Sequence, residues 1–389
     1  MLDFDQSISR RTVLRRTLGS VLVSGGATAA LSQGTFVRAE EPGLILRNTR
    51  PLDLETPVTA LDHWITPNDM FFVRSHLSSP AIGLAPWSLR IGGRADRPQN
   101  WTLESLQKLE QVKVPAVLQC SGNGRAFFRP RLPGIQWEKG GVGHAEWSGV
   151  RLVDLLDRAG IQSGAAHVHF LGADAPPSPK TPAYLRSLPL ERARDPNTLV
   201  ATHMNGEPLP YLHGGPMRLV VPGWTGNHWL KWLREITIAV DEAPGTYQQA
   251  GYRIPKTPAP PGAVLKPSDL VPLTFMNVKS LITSPAAGAV LNRGKQVIRG
   301  VAWTGAGHVT KVEYSVGSDP KWRPATIQGE PRPGSWRPWT IDWEPPQPGT
   351  YTISVRATDS HGDTQPETTV WNRSGYLWNG IDRLTCEVR

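Results

Sequence analysis

The stretch that most constrains this chain is Val114-Pro115-Ala116-Val117-Leu118-Gln119-Cys120-Ser121-Gly122-Asn123-Gly124-Arg125, an apolar run that stops abruptly on a thiol. Such a run closed by a Gly/Asn/Ser cluster predicts a buried strand delivering its last residue to a tight loop. Gly122 and Gly124 permit positive φ and close approach of backbone to a ligand, while Arg125 gives the loop a fixed cation. A cysteine in that place is ordinarily a small buried hydrophobe. Here the loop around it suits an anionic group held beside a thiol.

Length and punctuation bound the architecture. With 389 residues the chain exceeds what one core usually serves, and 38 Gly and 37 Pro favour short strands and turns over long helices. At the amino terminus Ser9-Arg10-Arg11-Thr12-Val13-Leu14-Arg15 leads into a weakly apolar run from Thr17 to Leu31 and a small-residue exit at Val37-Arg38-Ala39. That is the pattern of a removable signal of the twin-arginine type, whose cargo crosses already folded, and it predicts a periplasmic protein. Cleavage after Ala39 removes five arginines and two aspartates, +3 of the formal +9, and leaves the mature chain basic. No later stretch is apolar enough to span a membrane, and no nucleic-acid-binding motif is present. Cys120 and Cys386 are the only cysteines, enough for one disulfide, and neither stands in a haem-attachment signature.

Four ordered motifs carry a family resemblance. Cys120-Ser121-Gly122-Asn123-Gly124-Arg125 is the first, and Phe72-Val73-Arg74-Ser75-His76, read as a strand with Arg74 and His76 on one face, is the second. The third is Asn205-Gly206-Glu207-Pro208-Leu209-Pro210 followed by His213-Gly214-Gly215-Pro216-Met217-Arg218 and then by Trp229-Leu230-Lys231-Trp232. In the fourth, Tyr351 to Ser360 precede Gln365-Pro366 and Val370-Trp371-Asn372. Together they resemble the sulfite oxidase family of molybdopterin enzymes, most of all its bacterial periplasmic sulfite dehydrogenases.

The resemblance implies an α+β architecture: a mixed α/β molybdopterin-binding domain at 40–255, a Pro-rich linker at 256–272 and an immunoglobulin-like dimerisation sandwich at 273–389, behind the signal at 1–39. Cys120 becomes the protein's bond to molybdenum. Phe72, Val73, Arg74, Ser75, His76, Arg125, Asp174, His213, Arg218, Trp229, Leu230 and Lys231 become the cofactor's surroundings, a cation set suited to a phosphate-bearing pterin. Arg74, Tyr247 and Arg373 are the expected substrate-facing residues, with Tyr252 competing with Tyr247 for the tyrosine's place. The implied partners are sulfite, an external acceptor such as a c-type cytochrome in the absence of a haem domain, and a second copy of the chain. Gly124, where relatives often carry a second arginine, leaves room for another oxyanion or for sulfoxide reduction. A Trp-rich exported binding module, suggested by 15 tryptophans, is the non-enzymatic alternative.

Overall fold

A computed structural model describes residues 43–81, 86–317 and 321–389, and the expected signal sequence lies outside them. From Glu41 onward the chain is one compact unit. Two sheets form its first part. In one, Val112–Gln119, Val142–Arg151 and Leu199–Met204 run antiparallel in that order, with Arg218–Val220 on the far strand. In the other, Gln99–Thr102, Ser88–Gly93, Leu233–Ala239, His167–Gly172 and Leu185–Pro189 are neighbours, and only Ser88–Gly93 with Leu233–Ala239 is parallel.

Helices are short, as the Gly and Pro content requires. Thr102 caps Leu103–Gln107 by accepting the Ser105 amide at 3.2 Å. Leu152–Ala159 buries Leu152, Leu155, Leu156 and Ala159 along one stripe and stops at Gly160, whose φ of +72° a side chain would resist. These faces fill one large core with Phe71, Trp147, Phe170 and Ile236.

The second part is a β-sandwich. Lys279–Ser284, Gln296–Trp303, Arg337–Trp343 and Thr326–Ile327 make one sheet. Asp382–Val388, Gly349–Asp359 and Val309–Val316 form the centre of the other. Asp382–Val388 alternates strictly between buried and exposed residues, with Leu384, Cys386 and Val388 on the core of the sandwich. A buried Gln365 stitches the sandwich together: its Oε1 accepts the amides of Ser280 (2.6 Å) and Ala357 (2.9 Å), and its Nε2 donates to the carbonyls of Asn379 and Gly380.

The two parts share a third apolar cluster in which Val117 and Val142 meet Leu281, Val301, Trp303 and Trp336. A buried bond from Trp303 Nε1 to Gln119 Oε1 (2.8 Å) therefore fixes the residue just before Cys120 from the sandwich side. The proline-rich segment begins and ends in a ribbon, Arg253–Pro255 pairing with Leu270–Pro272.

One sequence expectation changes. The segment around Arg74 is not a strand but an extended loop, joined to the rest by isolated bridges of Val73 with Leu54 and of Ser78 with Ala175. Side-chain bonds replace a ladder there. Asp53 accepts the Ser75 amide at 3.2 Å, and Thr56 Oγ1 donates to the Met70 carbonyl at 2.8 Å.

Gln365→Ala should leave two buried amides and two carbonyls without that partner and destabilise the protein by about 2 to 4 kcal/mol. Denaturant unfolding of the variant and the parent measures it, and a change below ~0.5 kcal/mol would show that water replaces the amide at no cost.

Candidate active site

Cys120 follows the last residue of strand Val112–Gln119 and lines a cavity together with residues that flank both sheets. Its amide donates to the Gly141 carbonyl at 2.8 Å, and its own carbonyl accepts the Asn123 amide at 2.9 Å, so the loop turns back at once. Gly124 adopts φ +89°, and a Cβ there would lie 2.7 Å from Cβ of Trp378. Glycine is thus required both by conformation and by the indole packed against it. Arg125 points away from solvent and ties the loop to its surroundings through bonds to the carbonyls of Ser374 and Ile135, both at 3.1 Å.

Phe72, Arg74, Ser75, His76, Asp174, His213, Arg218, Trp229, Leu230 and Lys231 line the same cavity as Cys120. Sequence reasoning placed all of them in the site. Val73 lies behind, in the bridge to Leu54, and Arg125 acts from beneath the loop. Arg74 is held by Asp53, a fully buried carboxylate with both oxygens 3.1 Å from Nη1. Nη1 also donates to the Ser75 carbonyl at 2.5 Å. Lys231 Nζ donates to Ser75 Oγ (2.7 Å) and the Leu212 carbonyl (3.0 Å). A lysine has three protons to give, so one stays available to a ligand.

Tyrosine and arginine require correction. Tyr252, not Tyr247, lines the cavity, and its hydroxyl is hydrogen-bonded to His76 Nε2. Tyr247 is half-buried outside the cavity lining, with its ring 4.9 Å from that of Tyr184 and 5.5 Å from that of His76. The sharp turn after Thr246–Gln249 swings Tyr252 inward at φ +53°, unusual for a bulky residue and typical of a site under constraint. Arg373 is exposed and does not join the cavity. From the same segment Tyr376 comes inward instead and stacks on Tyr252, centroids 5.4 Å apart and planes 11° apart. Asp53, Tyr184, Asn227 and Tyr376 were not read from the sequence. Asp53 sits in Leu52-Asp53-Leu54-Glu55, where alternation puts both acids on the buried face, and that was the available signal.

Burial dominates the electrostatics. It pushes the Cys120 thiol up, opposed by Arg74 and Arg125. It carries Asp174 up to about 6 and His213 down to about 4. His76 falls well below its ordinary value through burial and then the charges of Arg74, Arg186 and Lys231. Neutral imidazole is therefore what faces the Tyr252 hydroxyl. Burial also lowers Arg218 to about 9 and, with Arg218 beside it, Lys231 to about 7. These cations lack enough negative charge around them, which is the signature of a site built for an anion.

Orphaned donors test which anion fits. Arg218 Nε and Asn227 Nδ2 are buried, belong to cavity residues and have no partner within the protein. Asn227 has its oxygen committed to the hydroxyls of Ser121 (2.9 Å) and Thr225 (2.5 Å), so its amino group is left for a ligand. Donors of this kind suit a pterin with a phosphate, and a half-buried thiol beside them suits a soft metal. The residues fit a molybdenum cofactor: Cys120 would bind the metal, and His213, Arg218, Asn227 and Lys231 would hold the organic part.

The lowered Lys231 gives a signed prediction. From about pH 7 to about pH 9 the unfolded chain holds the lysine proton more fully than the folded one, so stability of the cofactor-free protein should rise with pH. Buried Lys279, also at about 7, adds in the same direction. Thermal scans across that window should show the rise, and Lys231→Met should remove part of it. An unchanged slope in the variant would mean that Lys231 is charged and solvated when the site is empty.

Known proteins place the same features. A model of the oxidoreductase molybdopterin binding domain matches residues 76–247, and one of the Mo-co oxidoreductase dimerisation domain matches residues 272–387. Mitochondrial sulfite oxidase of Mus musculus is 34% identical over 89% of this chain, which spans 66% of that protein's length. Sulfite oxidase of Gallus gallus is 34% identical over 86% of the chain, and here 76% of the relative is covered. A nitrate reductase of Phaseolus vulgaris is 31% identical over 88% of the chain and 42% of its own length. Among solved structures, the sulfane dehydrogenase SoxCD of Paracoccus pantotrophus superposes with a TM-score of 0.75 at 28% identity, covering 91% of this chain and 87% of that one. The chain belongs to the sulfite oxidase family of molybdopterin oxidoreductases.

Proposed function

We propose that this protein oxidises sulfite to sulfate and passes the electrons to a separate acceptor, a c-type cytochrome being the kind of carrier that fits an exported enzyme. The observation that carries the reading is Arg74, a guanidinium locked by Asp53 on the same cavity wall as Cys120, next to the Tyr252–His76 pair. When bound, the molybdenum cofactor supplies oxygen-atom transfer and takes up two electrons. The chain's own task is to hold a small dianion still. Arg74 binds its oxygens without losing a proton, since its tie to Asp53 keeps the group ionised and oriented. The Tyr252 hydroxyl donates one hydrogen bond, either to His76 or to the substrate. His76, kept neutral, accepts without adding charge. Export by a twin-arginine signal and a homodimer formed through the sandwich complete the proposal.

A second reading has a specific basis. The sulfane dehydrogenase matches this chain over nearly its whole length, and here the outward Arg373 leaves the site one guanidinium short of the expected set, beside Gly124, which supplies none. A less oxidised sulfur substrate would need less positive charge.

Steady-state oxidation by the molybdenum-loaded protein, with cytochrome c or ferricyanide as acceptor, compares sulfite with a sulfane-sulfur donor. Sulfite turnover is expected. Arg74→Gln should then raise KM and lower kcat together, costing about 2 to 3 kcal/mol in kcat/KM, a roughly 30- to 150-fold loss. Tyr252→Phe should cost about 1 to 1.4 kcal/mol, roughly five- to tenfold. Loaded protein that ignores sulfite but oxidises the sulfane donor would replace the first reading with the second.

A further inference from the structure

Behind the cavity wall stands a guanidinium that the reaction described above does not use. Arg186, on strand Leu185–Pro189, is 1% exposed. It forms no ion pair among the described residues. Glu242, whose charge reaches it, is already bound to Arg253 and Gln248 at 2.5 Å each. His228 Nε2 lies 3.5 Å from one Nη but points its own proton at the Leu273 carbonyl, 2.8 Å away, and so cannot accept. Nε has no partner at all. A cation so poorly compensated is costly to bury and has to be explained by what it touches.

What it touches is the tyrosine turn. One Nη donates to the Tyr247 carbonyl, and the guanidinium carbon lies 5.3 Å from the centroid of the Tyr252 ring. Tyr252 is the residue at φ +53°, and its backbone is held by the Leu273 amide on its carbonyl at 2.8 Å. The same strand grips this turn twice more, through the Ser187 amide to Gln248 Oε1 and the Ala243 amide to Ser187 Oγ. Arg186 thus bonds the start of the turn and stacks on the ring at its end.

We propose that Arg186 is a positioning residue for Tyr252, fixing the phenol ring so that its hydroxyl meets His76 and the substrate. The inference rests on the sulfur-oxidising reading of this site. A guanidinium can do both jobs because it is planar and keeps donors at its edge. Without it the ring has an unsupported face and the Tyr247 carbonyl loses a donor, so the hydroxyl spends less time in place. Substrate affinity, set by Arg74, should be nearly unaffected.

The test is a double-mutant cycle on molybdenum-loaded protein, with 19F NMR of 3-fluorotyrosine at position 252 as a readout separate from turnover. Arg186→Gln should lower kcat about three- to tenfold with KM changed less than about twofold, and Arg186→Gln/Tyr252→Phe should be no slower than Tyr252→Phe alone. The fluorine signal should be one narrow line in the parent and broadened or split in Arg186→Gln. If that variant fails to fold, Arg186→Lys keeps the charge and most of the volume and should show the same non-additivity. Additive losses, or an unchanged fluorine line, would overturn the inference while leaving the site's reading intact. Full activity of Tyr252→Phe would overturn both, because Arg186 would then have nothing to position.

Discussion

Burying positive charge without matching negative charge is the constraint on which this molecule turns. Arg74, Arg218 and Lys231 line one cavity with Arg186 behind its wall, and among the described residues the carboxylates and thiol that oppose them are Asp53, Asp174, Glu242 and Cys120. Two devices make that tolerable. Carbonyl oxygens take up part of each cation, as those of His213 and Trp229 do for Arg218 at 2.7 and 2.9 Å, and tryptophan faces take up more, Trp147 lying 4.9 Å from the same guanidinium. The rest of the charge waits for an anionic ligand. Apolar burial on both sheets exists to hold that charge away from water, and the core around Trp147, Trp229 and Phe71 is packed directly against it.

What the sequence made legible follows from the same physics. Cys120, His213 and Lys231 stand in runs where strand, turn and polar residue have a local cause, and ten of the expected cofactor residues do line the cavity. The short runs at 296–301, 311–316, 339–343 and 349–358 that read as sandwich strands each lie within one, whereas Lys279–Ser284 and Asp382–Val388 were not read. Which of Tyr247 and Tyr252 faces inward was not legible, since it depends on a single backbone torsion after a four-residue helix. Arg373 misled for a related reason. One residue of offset in a loop sends a side chain to solvent, and here Tyr376 takes the inward place. Asp53 offered only the alternation of its strand and Arg186 no local signal, because each acquires its role from a partner elsewhere in the chain, Arg74 for one and Tyr252 for the other. The Arg74 segment misled by composition: Phe-Phe-Val reads as strand, but it is anchored by side chains, not by a ladder.

The sandwich is more than a neighbour to this chemistry. Trp303 fixes Gln119, Trp378 packs against Gly124, Tyr376 stacks on Tyr252, and the Ser374 carbonyl holds Arg125. Both sides of the cysteine loop are thus shaped by residues of the second part. The family's two domains behave here as one structural unit around the site.

Arg125 and its bond to the Ser374 carbonyl carry a consequence for how the protein comes into being. The ribosome releases Cys120 some two hundred and fifty residues before it releases the backbone that clasps the Cys120 loop, the span between Arg125 and Ser374 being 249 positions. Throughout most of synthesis, therefore, the thiol sits in a half-built cradle whose far wall has not yet been translated. Cofactor capture becomes a late event in the life of the chain, and a chain that stopped between Lys231 and Ser374 would carry Cys120, His213 and Lys231 and lack the carbonyl that clasps the Cys120 loop.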